Sequence, residues 1–307
     1  MTDDLPLTSG AGYGAVSVPA SQPFFGCVLL TQGKRPTELD RALRSLLAQR
    51  GVTTDIVVVG NGWEPTGLAE GVRGVHLAQN LGIPAGRNAG IVAVKGDLLF
   101  LLDDDAEIAD AATLATLATR FAEDPTLGIV QLRVVDPSGV ASPRRQVPRL
   151  RVGDPARSSD VTSFWEGACA ARRSVFDEAG LFPDAFWYAH EGTDMAWRAM
   201  DAGYRVHYAG DLVCHHPAVA PTRHSYYHYL SARNRMWLAR RHLPVPLVAI
   251  YPLTWFVLTL LRVRDARGLR EVVRGYWHGM TQPCGPRRPL RWRTVWRMTL
   301  VGRPPVI

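Results

Sequence analysis

The 307-residue chain has few cysteines, and none of them are paired at the spacing of a metal site. Its four cysteines, Cys27, Cys169, Cys214 and Cys284, lie far apart and form no CxxC motif. This spacing argues against a zinc site and against a disulfide framework, and it suits a reducing compartment. We therefore expect a cytoplasmic protein.

The sequence predicts neither a secretory signal nor a full-length membrane span. Its first residues are acidic and rich in Gly, Ser and Pro, so no secretory signal is predicted, and residues 1–22 are expected to form a flexible arm. Residues 245–261 are seventeen uncharged, mostly apolar residues interrupted by Pro246 and Pro252. A membrane span needs about 20 residues, so this segment predicts an interfacial or re-entrant helix instead.

Positive charge is concentrated at the C-terminal end. The net charge is +7, yet the chain from residue 262 onward has eleven arginines against two acidic residues, which leaves the rest near −2. Trp277, Trp292 and Trp296 are interleaved with these arginines. Residues 226–307 therefore predict a helical basic region on anionic lipid at the inner membrane face, or else a hairpin or homo-oligomer contact. No nucleic-acid module accompanies the basic residues, so nucleic-acid binding is not expected.

Apolar runs alternate with helical patterns in the first third of the chain. Residues 26–31, 55–59, 75–77 and 98–102 read as strands, separated by helices after Thr37 and around Pro84. This alternation predicts an α/β fold with a doubly wound, mostly parallel sheet. Residues 141–160 are rich in Arg, Pro and Ser and predict a mobile loop.

The strongest chemical signal is a run of three carboxylates after a buried strand. The apolar residues 98–102 lead directly into Asp103, Asp104 and Asp105. Ligands of open α/β sheets bind at the carboxyl ends of the strands, and hard divalent ions such as Mg²⁺ or Mn²⁺ prefer oxygen ligands. A solvated acidic turn is the alternative. The buried strand before the run favours a metal site.

The order of these motifs resembles the family 2 inverting glycosyltransferases of the GT-A fold, over about residues 24–240. The motifs that carry the resemblance are Thr31, Asn61-Gly62, Asn80-x-Gly82, Arg87-Asn88-Ala89-Gly90, the Asp cluster, Gly167 before Arg172-Arg173, Glu191-x-x-Asp194 with Arg198 and Gly203, His215, and Arg233-Asn234.

The resemblance implies a catalytic domain over residues 23–225, with a nucleotide-sugar half to about residue 135 and an acceptor half after it. It implies a nucleoside diphosphate-sugar donor, Mn²⁺ or Mg²⁺, and a hydroxyl acceptor attacked with inversion, such as a lipid-linked or cell-surface glycan precursor.

Site residues follow from the resemblance by position. The metal ligands would be Asp103, Asp105 and either His215 or His216. The donor site would contain Thr31, Asn61, Asn80, Gly82, Arg87, Asn88, Asp103, Asp104, Gly167 and Arg233. Asn80 and Gly82 are equally suited to a simple turn.

Two positions depart from the family pattern. Gly192 stands where the family usually has its catalytic Asp, so the base must be Glu191, Asp194 or another carboxylate such as Glu166. We favour Glu191, because pairing with Arg198 at i, i+4 would lower the basicity of Asp194.

Gly60 stands where relatives often place an Asp against the base, which leaves uridine, thymidine and guanosine carriers open. The two glycines also motivate the alternative of an inactive nucleotide-sugar-binding or scaffold protein. The intact Asp cluster favours an enzyme. A nucleotidyltransferase is not favoured, because the first strand lacks a Gly-rich, Lys-bearing phosphate loop.

Overall fold

The computed structural model describes residues 22–138, 142–218 and 226–307. The predicted flexible arm over residues 1–22 therefore lies almost entirely outside the described residues.

The first part of the chain forms a parallel sheet with helices between its strands. The sheet order is β3-β2-β1-β4, and each neighbouring pair is parallel. The elements are β1 (Phe24–Thr31), α1 (Pro36–Leu47), β2 (Thr53–Asn61), β3 (Val72–Leu77), α2 (Gly82–Ala93) and β4 (Leu98–Asp103). The predicted alternation of strands and helices is confirmed.

The second part extends the sheet to the order β3-β2-β1-β4-β8-β6-β9-β5, with β7 paired to β9. Its elements are β5 (Glu107–Ile108), α3 (Thr113–Glu123), β6 (Leu127–Val135), β7 (Ser159–Asp160), β8 (Ala168–Arg172), α4 (Arg173–Ala179), α5 (Glu191–Ala202) and β9 (Arg205–His215). Strand β8 runs antiparallel to both β4 and β6, while β6 and β9 are parallel. The doubly wound α/β sheet is as predicted, and its second half is mixed.

The apolar strand β4 is buried on both faces, as its sequence predicts. Leu99 and Leu101 face the larger core cluster, whereas Phe100 and Leu102 face the cluster on the opposite side of the sheet. All four are at most 1% exposed. The strand is thus fixed in register, and it places the carboxylates at a defined position at the carboxyl ends of the strands.

Four helices follow the sheet: α6 (Tyr227–His242), α7 (Leu247–Arg262), α8 (Ala266–Thr281) and α9 (Trp292–Leu300). Helix α6 packs on α8 at close range, since a Cβ at Gly275 would lie 2.4 Å from the carbonyl oxygen of Tyr229. Helix α9 is tied to α5 by a 2.6 Å hydrogen bond from Thr294 to Asp201. Among the described residues, no helix combines the length and apolarity that a membrane span requires.

The segment over residues 142–160 is irregular but packed. Gln146 and Arg149 are 3% and 8% exposed, and Gln131 donates a 2.7 Å hydrogen bond to the carbonyl of Gln146. The packing is limited to residues 146–149, since most of residues 150–158 are exposed.

Candidate metal and nucleotide-sugar site

The carboxylate run lies at the carboxyl end of the parallel strands. Asp103 ends β4, pairs in register with Leu30 of β1, and donates its backbone N–H to the carbonyl of Gly167 at 2.9 Å. A Cβ at Gly167 would lie 2.1 Å from the ring of Trp165 and 2.5 Å from Oδ2 of Asp103. Only glycine therefore fits between the carboxylate and the indole.

Asp103, Asp105 and His216 form a compact group of potential metal ligands. Each offers one ligand atom, and these atoms all lie within 4.8 Å of one another. Nε2 of His216 is 3.1 Å from Oδ1 of Asp105, and its backbone N–H donates to Val135 at 3.0 Å. Two carboxylates and one imidazole form a donor set that suits Mn²⁺ and accepts Mg²⁺. The residues present therefore fit the divalent ion that the sequence predicts.

Only one of the two tandem histidines joins this group. His215 ends β9, so its side chain and that of the next residue point to opposite sides. Nδ1 of His215 is buried without a hydrogen-bond partner. Of the two alternatives, His215 or His216, this geometry favours His216, a choice that depends on strand parity.

Arg35 is a residue of the site that the sequence analysis missed. Its guanidinium donates to Asp104 and Asp105, across about seventy residues of sequence. Thr31 donates a 2.6 Å hydrogen bond from Oγ1 to Oδ2 of Asp104. Burial raises the pKa of Asp104 to about 6, although Thr31 and Arg35 act in the opposite direction. Arg35 therefore compensates two of the crowded carboxylates.

Arg87 links the metal group to a second acidic cluster. Its side chain is 2% exposed, and it donates to Oδ1 of Asp103 at 2.6 Å and to Oε2 of Glu166 at 3.3 Å. A buried arginine with two carboxylate partners is held in place by both. The predicted donor-site arginine is therefore positioned beside the carboxylates.

The amides of Asn61 and Asn80 join the end of β2 to the start of α2. Asn61 donates to Oδ1 of Asn80 at 3.0 Å and to the carbonyl of Gly82 at 2.9 Å. Gly82 has φ +86°, and a Cβ there would lie 2.5 Å from the carbonyl oxygen of Trp187. Asn80 and Gly82 thus form the turn that the sequence analysis gave as the alternative to a donor contact.

Two residues predicted to bind the nucleotide-sugar, Asn88 and Arg233, contact the segment before α5 rather than the carboxylate cluster. Asn88 exchanges hydrogen bonds with the backbone of Phe182 at 2.8 and 3.0 Å. Arg233 donates to the carbonyls of Ala185 and Phe186 at 2.8 and 3.0 Å, and it stacks on the ring of Trp237. Its Nε also donates to Oδ1 of Asn234, so Arg233 is engaged within the protein, and its assignment to the diphosphate stays a prediction.

Asp194 is a poor candidate for a catalytic base. It is fully buried, and its oxygens lie 2.7 Å from Arg198, 3.3 Å from Arg241 and 2.6 Å from His242. Burial acts to raise its pKa, but His242 and Arg198 outweigh burial and hold the pKa well below its usual range. The predicted pair with Arg198 is present. The assignment of Asp194 as a candidate base is corrected to a structural anchor.

Glu166 and Glu191 form a buried acidic pair beside Arg87. Glu191 is 3% exposed, and its Oε2 has no hydrogen-bond partner. Burial raises the pKa of Glu191, and the neighbouring Glu166 raises it further. Oε1 of Glu166 lies 2.0 Å from the position that a Cβ of Gly192 would take. The absence of a side chain at Gly192 thus leaves the space that the carboxylate of Glu166 occupies.

Comparison with known proteins identifies the domain. Residues 31–180 match the model of glycosyl transferase family 2. No curated protein matches the chain by sequence.

Solved structures share the fold. They include GalNAc-T7 with UDP, GalNAc and Mn²⁺ (TM-score 0.59, 14% identity), S. aureus TarS (0.53, 15%) and a mannosyltransferase from Pyrobaculum calidifontis in complex with GDP-Man and Mn²⁺ (0.53, 16%). The similarities cover 86%, 79% and 92% of this chain, and 57%, 44% and 74% of those chains. The family model covers just under half of the chain, and the solved structures share the GT-A fold, so both findings are consistent with a family 2 glycosyltransferase.

Proposed function

We propose that this protein is a metal-dependent inverting glycosyltransferase that moves a single sugar from a nucleoside diphosphate-sugar to a hydroxyl acceptor. The observation that carries the proposal is the convergence of Asp103, Asp105 and His216 within 4.8 Å at the carboxyl end of β4. In open α/β sheets this edge is where ligands bind. The family match over residues 31–180 supports the same chemistry.

The ligand set suits the charge that this reaction develops. A nucleoside diphosphate leaves as an anion, and a divalent ion held by Asp103, Asp105 and His216 would neutralise its oxygens as a Lewis acid. Arg87 keeps Asp103 oriented, and Arg35 holds the neighbouring carboxylates. The Mn²⁺ in the structures of GalNAc-T7 and the Pyrobaculum mannosyltransferase supports the choice of ion.

The nucleoside is proposed to lie between the ends of β1 and β2. Thr31 and Asn61 end these adjacent strands and are both nearly buried. Gly60 beside them has no space for a side chain, since a Cβ would lie 1.9 Å from the carbonyl oxygen of Trp63. Because Gly60 has no side chain to contact the base, sugars carried on uridine, thymidine or guanosine diphosphate all remain candidate donors.

The acceptor is proposed to be lipid-linked or membrane-bound, because the C-terminal helices present apolar stripes among arginines. Helix α7 exposes one stripe at helical spacing, and helix α8 exposes another. The ring of Phe256 on α7 contacts that of Tyr276 on α8 at 5.1 Å, so the two helices are adjacent. Stripe residues are Ile250, Leu253, Val257, Leu260 and Leu261 on α7, and Val273, Trp277 and Met280 on α8.

Exposed apolar residues beside arginine clusters are typical of helices that lie in the interface of anionic lipid. Peripheral contact with the cytoplasmic face of the inner membrane is therefore the proposed location. A homo-oligomer that covers the same stripes is the competing use of this surface.

The function is tested by nucleoside diphosphate release from a panel of UDP-, TDP- and GDP-sugars with Mn²⁺ or Mg²⁺. The proposal expects release from at least one donor, dependent on the metal and blocked by EDTA. Tight binding of a donor without release on any acceptor or to water would favour the second candidate, an inactive nucleotide-sugar-binding protein. The position of Glu166 and Glu191 beside the metal group favours the enzyme.

A further inference from the structure

An inverting transfer needs a group that removes the proton of the acceptor hydroxyl, and most carboxylates near the metal group are already committed. Asp103 and Asp105 belong to the potential ligand set. Asp104 accepts from Thr31 and Arg35. Asp194 is fully buried among Arg198, Arg241 and His242. The acidic pair of Glu166 and Glu191 therefore holds the remaining candidates in the described part of the site.

The two members of this pair differ in access. Glu166 is 8% exposed, whereas Glu191 is 3% exposed and lies deeper, with an unpartnered Oε2. One guanidinium, that of Arg87, separates Glu166 from Asp103 of the metal group. Glu166 is thus the carboxylate that an acceptor bound beside the metal group reaches first.

Gly192 provides the space that Glu166 occupies. A Cβ at position 192 would lie 2.0 Å from Oε1 of Glu166 and 2.3 Å from the carbonyl oxygen of Phe164. The backbone N–H of Gly192 lowers the pKa of Glu166. This N–H lies in the first turn of α5, where the helix dipole favours a negative charge.

We propose that Glu166 is the catalytic base of this enzyme, and that Glu191 is a positioning residue that stays protonated beside it. The inference rests on the proposed function. As the acceptor oxygen bonds to the anomeric carbon, its proton passes to a carboxylate oxygen of Glu166. The bond from the anomeric carbon to the diphosphate breaks at the same time, and its electron pair leaves on the diphosphate oxygen.

The electrostatics of the pair agree with this division of roles. Two neighbouring carboxylates do not both ionise easily, so the first proton stays on the member that is more strongly desolvated. Burial raises the pKa of both side chains and Arg87 opposes the rise at both, but only Glu166 is in direct ion-pair contact with Arg87. The groups that face Glu166 are Arg87 from α2, Asp103 from β4, Glu191 and the N–H of Gly192 from α5. A raised pKa makes an ionised carboxylate a stronger general base.

A matched pair of isosteric variants tests the inference. Glu166→Gln removes the ionisable group, and Glu191→Gln mimics the protonated state proposed for Glu191. With Mn²⁺ and the sugar nucleotide that the wild type cleaves fastest, we expect kcat of Glu166→Gln to fall about a hundredfold or more. We expect Glu191→Gln to lower kcat by much less than Glu166→Gln does, because it keeps the neutral state proposed for Glu191. Calorimetric affinity for Mn²⁺ and the nucleoside diphosphate should be unchanged in both.

The pH dependence of kcat separates a catalytic role from a structural one, because substitution of a structural residue would leave the shape of this profile unchanged. In the wild type, kcat should fall on the acid side as Glu166 takes up a proton, and this limb should vanish in Glu166→Gln. Should that variant fail to fold, Glu166→Asp serves instead. It keeps a carboxylate one methylene shorter, so the acid limb should remain with a reduced kcat.

Two results overturn the inference. One is a loss in Glu191→Gln that equals or exceeds the loss in Glu166→Gln. The other is a kcat in Glu166→Gln, or in Glu166→Asp where that variant replaces it, that matches the wild type. Neither result touches the proposed function, which instead fails when the wild type itself releases no nucleoside diphosphate from any donor.

Discussion

Nε2 of His242 lies 2.6 Å from Oδ1 of Asp194, inside the protein, and joins helix α6 to helix α5. The helix that carries Glu191 and Gly192 is thereby fixed to the first helix of the basic C-terminal region. Arg198 and Arg241 complete the environment of the same carboxylate. This buried carboxylate therefore helps to hold the C-terminal helices against helix α5.

Removal of this anion should destabilise the protein. Asp194→Asn leaves His242, Arg198 and Arg241 without their charged partner, and breaking a buried ion pair costs about 3–5 kcal/mol. We expect the free energy of unfolding, measured by urea denaturation followed by circular dichroism, to fall by that order. Asp40→Asn, at an exposed pair with Arg44, is the control and should change stability by less than about 1 kcal/mol. Equal stability of the two variants would contradict the role given to Asp194.

The same carboxylate predicts how stability depends on pH. Because the pKa of Asp194 is lower in the folded than in the unfolded protein, its contribution is fully present above the usual carboxyl range. It is lost as the pH falls from about 4 toward the depressed pKa of the folded state. The difference in unfolding free energy between the wild type and Asp194→Asn should therefore shrink below about pH 4. A difference that grows on acidification would show that Asp194 is not held ionised.

Gly167→Ala tests whether the metal carboxylate depends on the close approach at β8. The added methyl group would lie 2.5 Å from Oδ2 of Asp103 and against the Trp165 ring, so we expect Mn²⁺ affinity to fall. Isothermal titration with Mn²⁺ measures the effect. Gly67→Ala is the control, because its φ of +67° strains alanine but no atom lies within 4 Å of the new Cβ. That variant should lose some stability and keep its Mn²⁺ affinity; a parallel loss of affinity would point to general strain instead.

The apolar stripe on α7 predicts binding to anionic vesicles. Leu253→Asp with Val257→Asp should weaken flotation with phosphatidylglycerol vesicles at least tenfold, because each apolar side chain contributes about 1.5–3 kcal/mol when buried. Val92→Asp, at a 73% exposed site on α2, is the matched control and should bind as the wild type does. High salt should also weaken binding, since the arginines contribute electrostatically. If the wild type does not bind vesicles and instead forms a dimer that the α7 variant disrupts, the stripes form an oligomer interface.

The sequence predicts the parallel half of the fold well, because its signals are local. The apolar run before Asp103 marks a strand buried on both faces, and Pro84 lies in the first turn of α2, as expected. The antiparallel strand β8 gives no such signal. Its Ala168-Cys169-Ala170-Ala171 run consists of small residues without the period of a strand, so only tertiary pairing defines it.

In the site, too, features formed by adjacent residues were predicted, whereas contacts between residues far apart in the sequence were not. The Asp cluster was predicted from adjacent residues, whereas Arg35 meets it across about seventy residues and Asp194 meets His242 across 48. Neither contact has a sequence period that would reveal it. The roles of Arg233 and His215 were likewise expected from order along the chain, but side-chain direction decides them.

Calorimetry of Mn²⁺ with UDP, TDP or GDP tests the central claim most directly, on the wild type and on Asp105→Ala. We expect the wild type to bind at least one of these nucleotides only when Mn²⁺ is present. We expect Asp105→Ala to lose that metal-dependent binding, while Asp40→Ala keeps it. Metal-independent binding, or equal heats for the wild type and Asp105→Ala, would contradict a metal centre built on Asp103, Asp105 and His216.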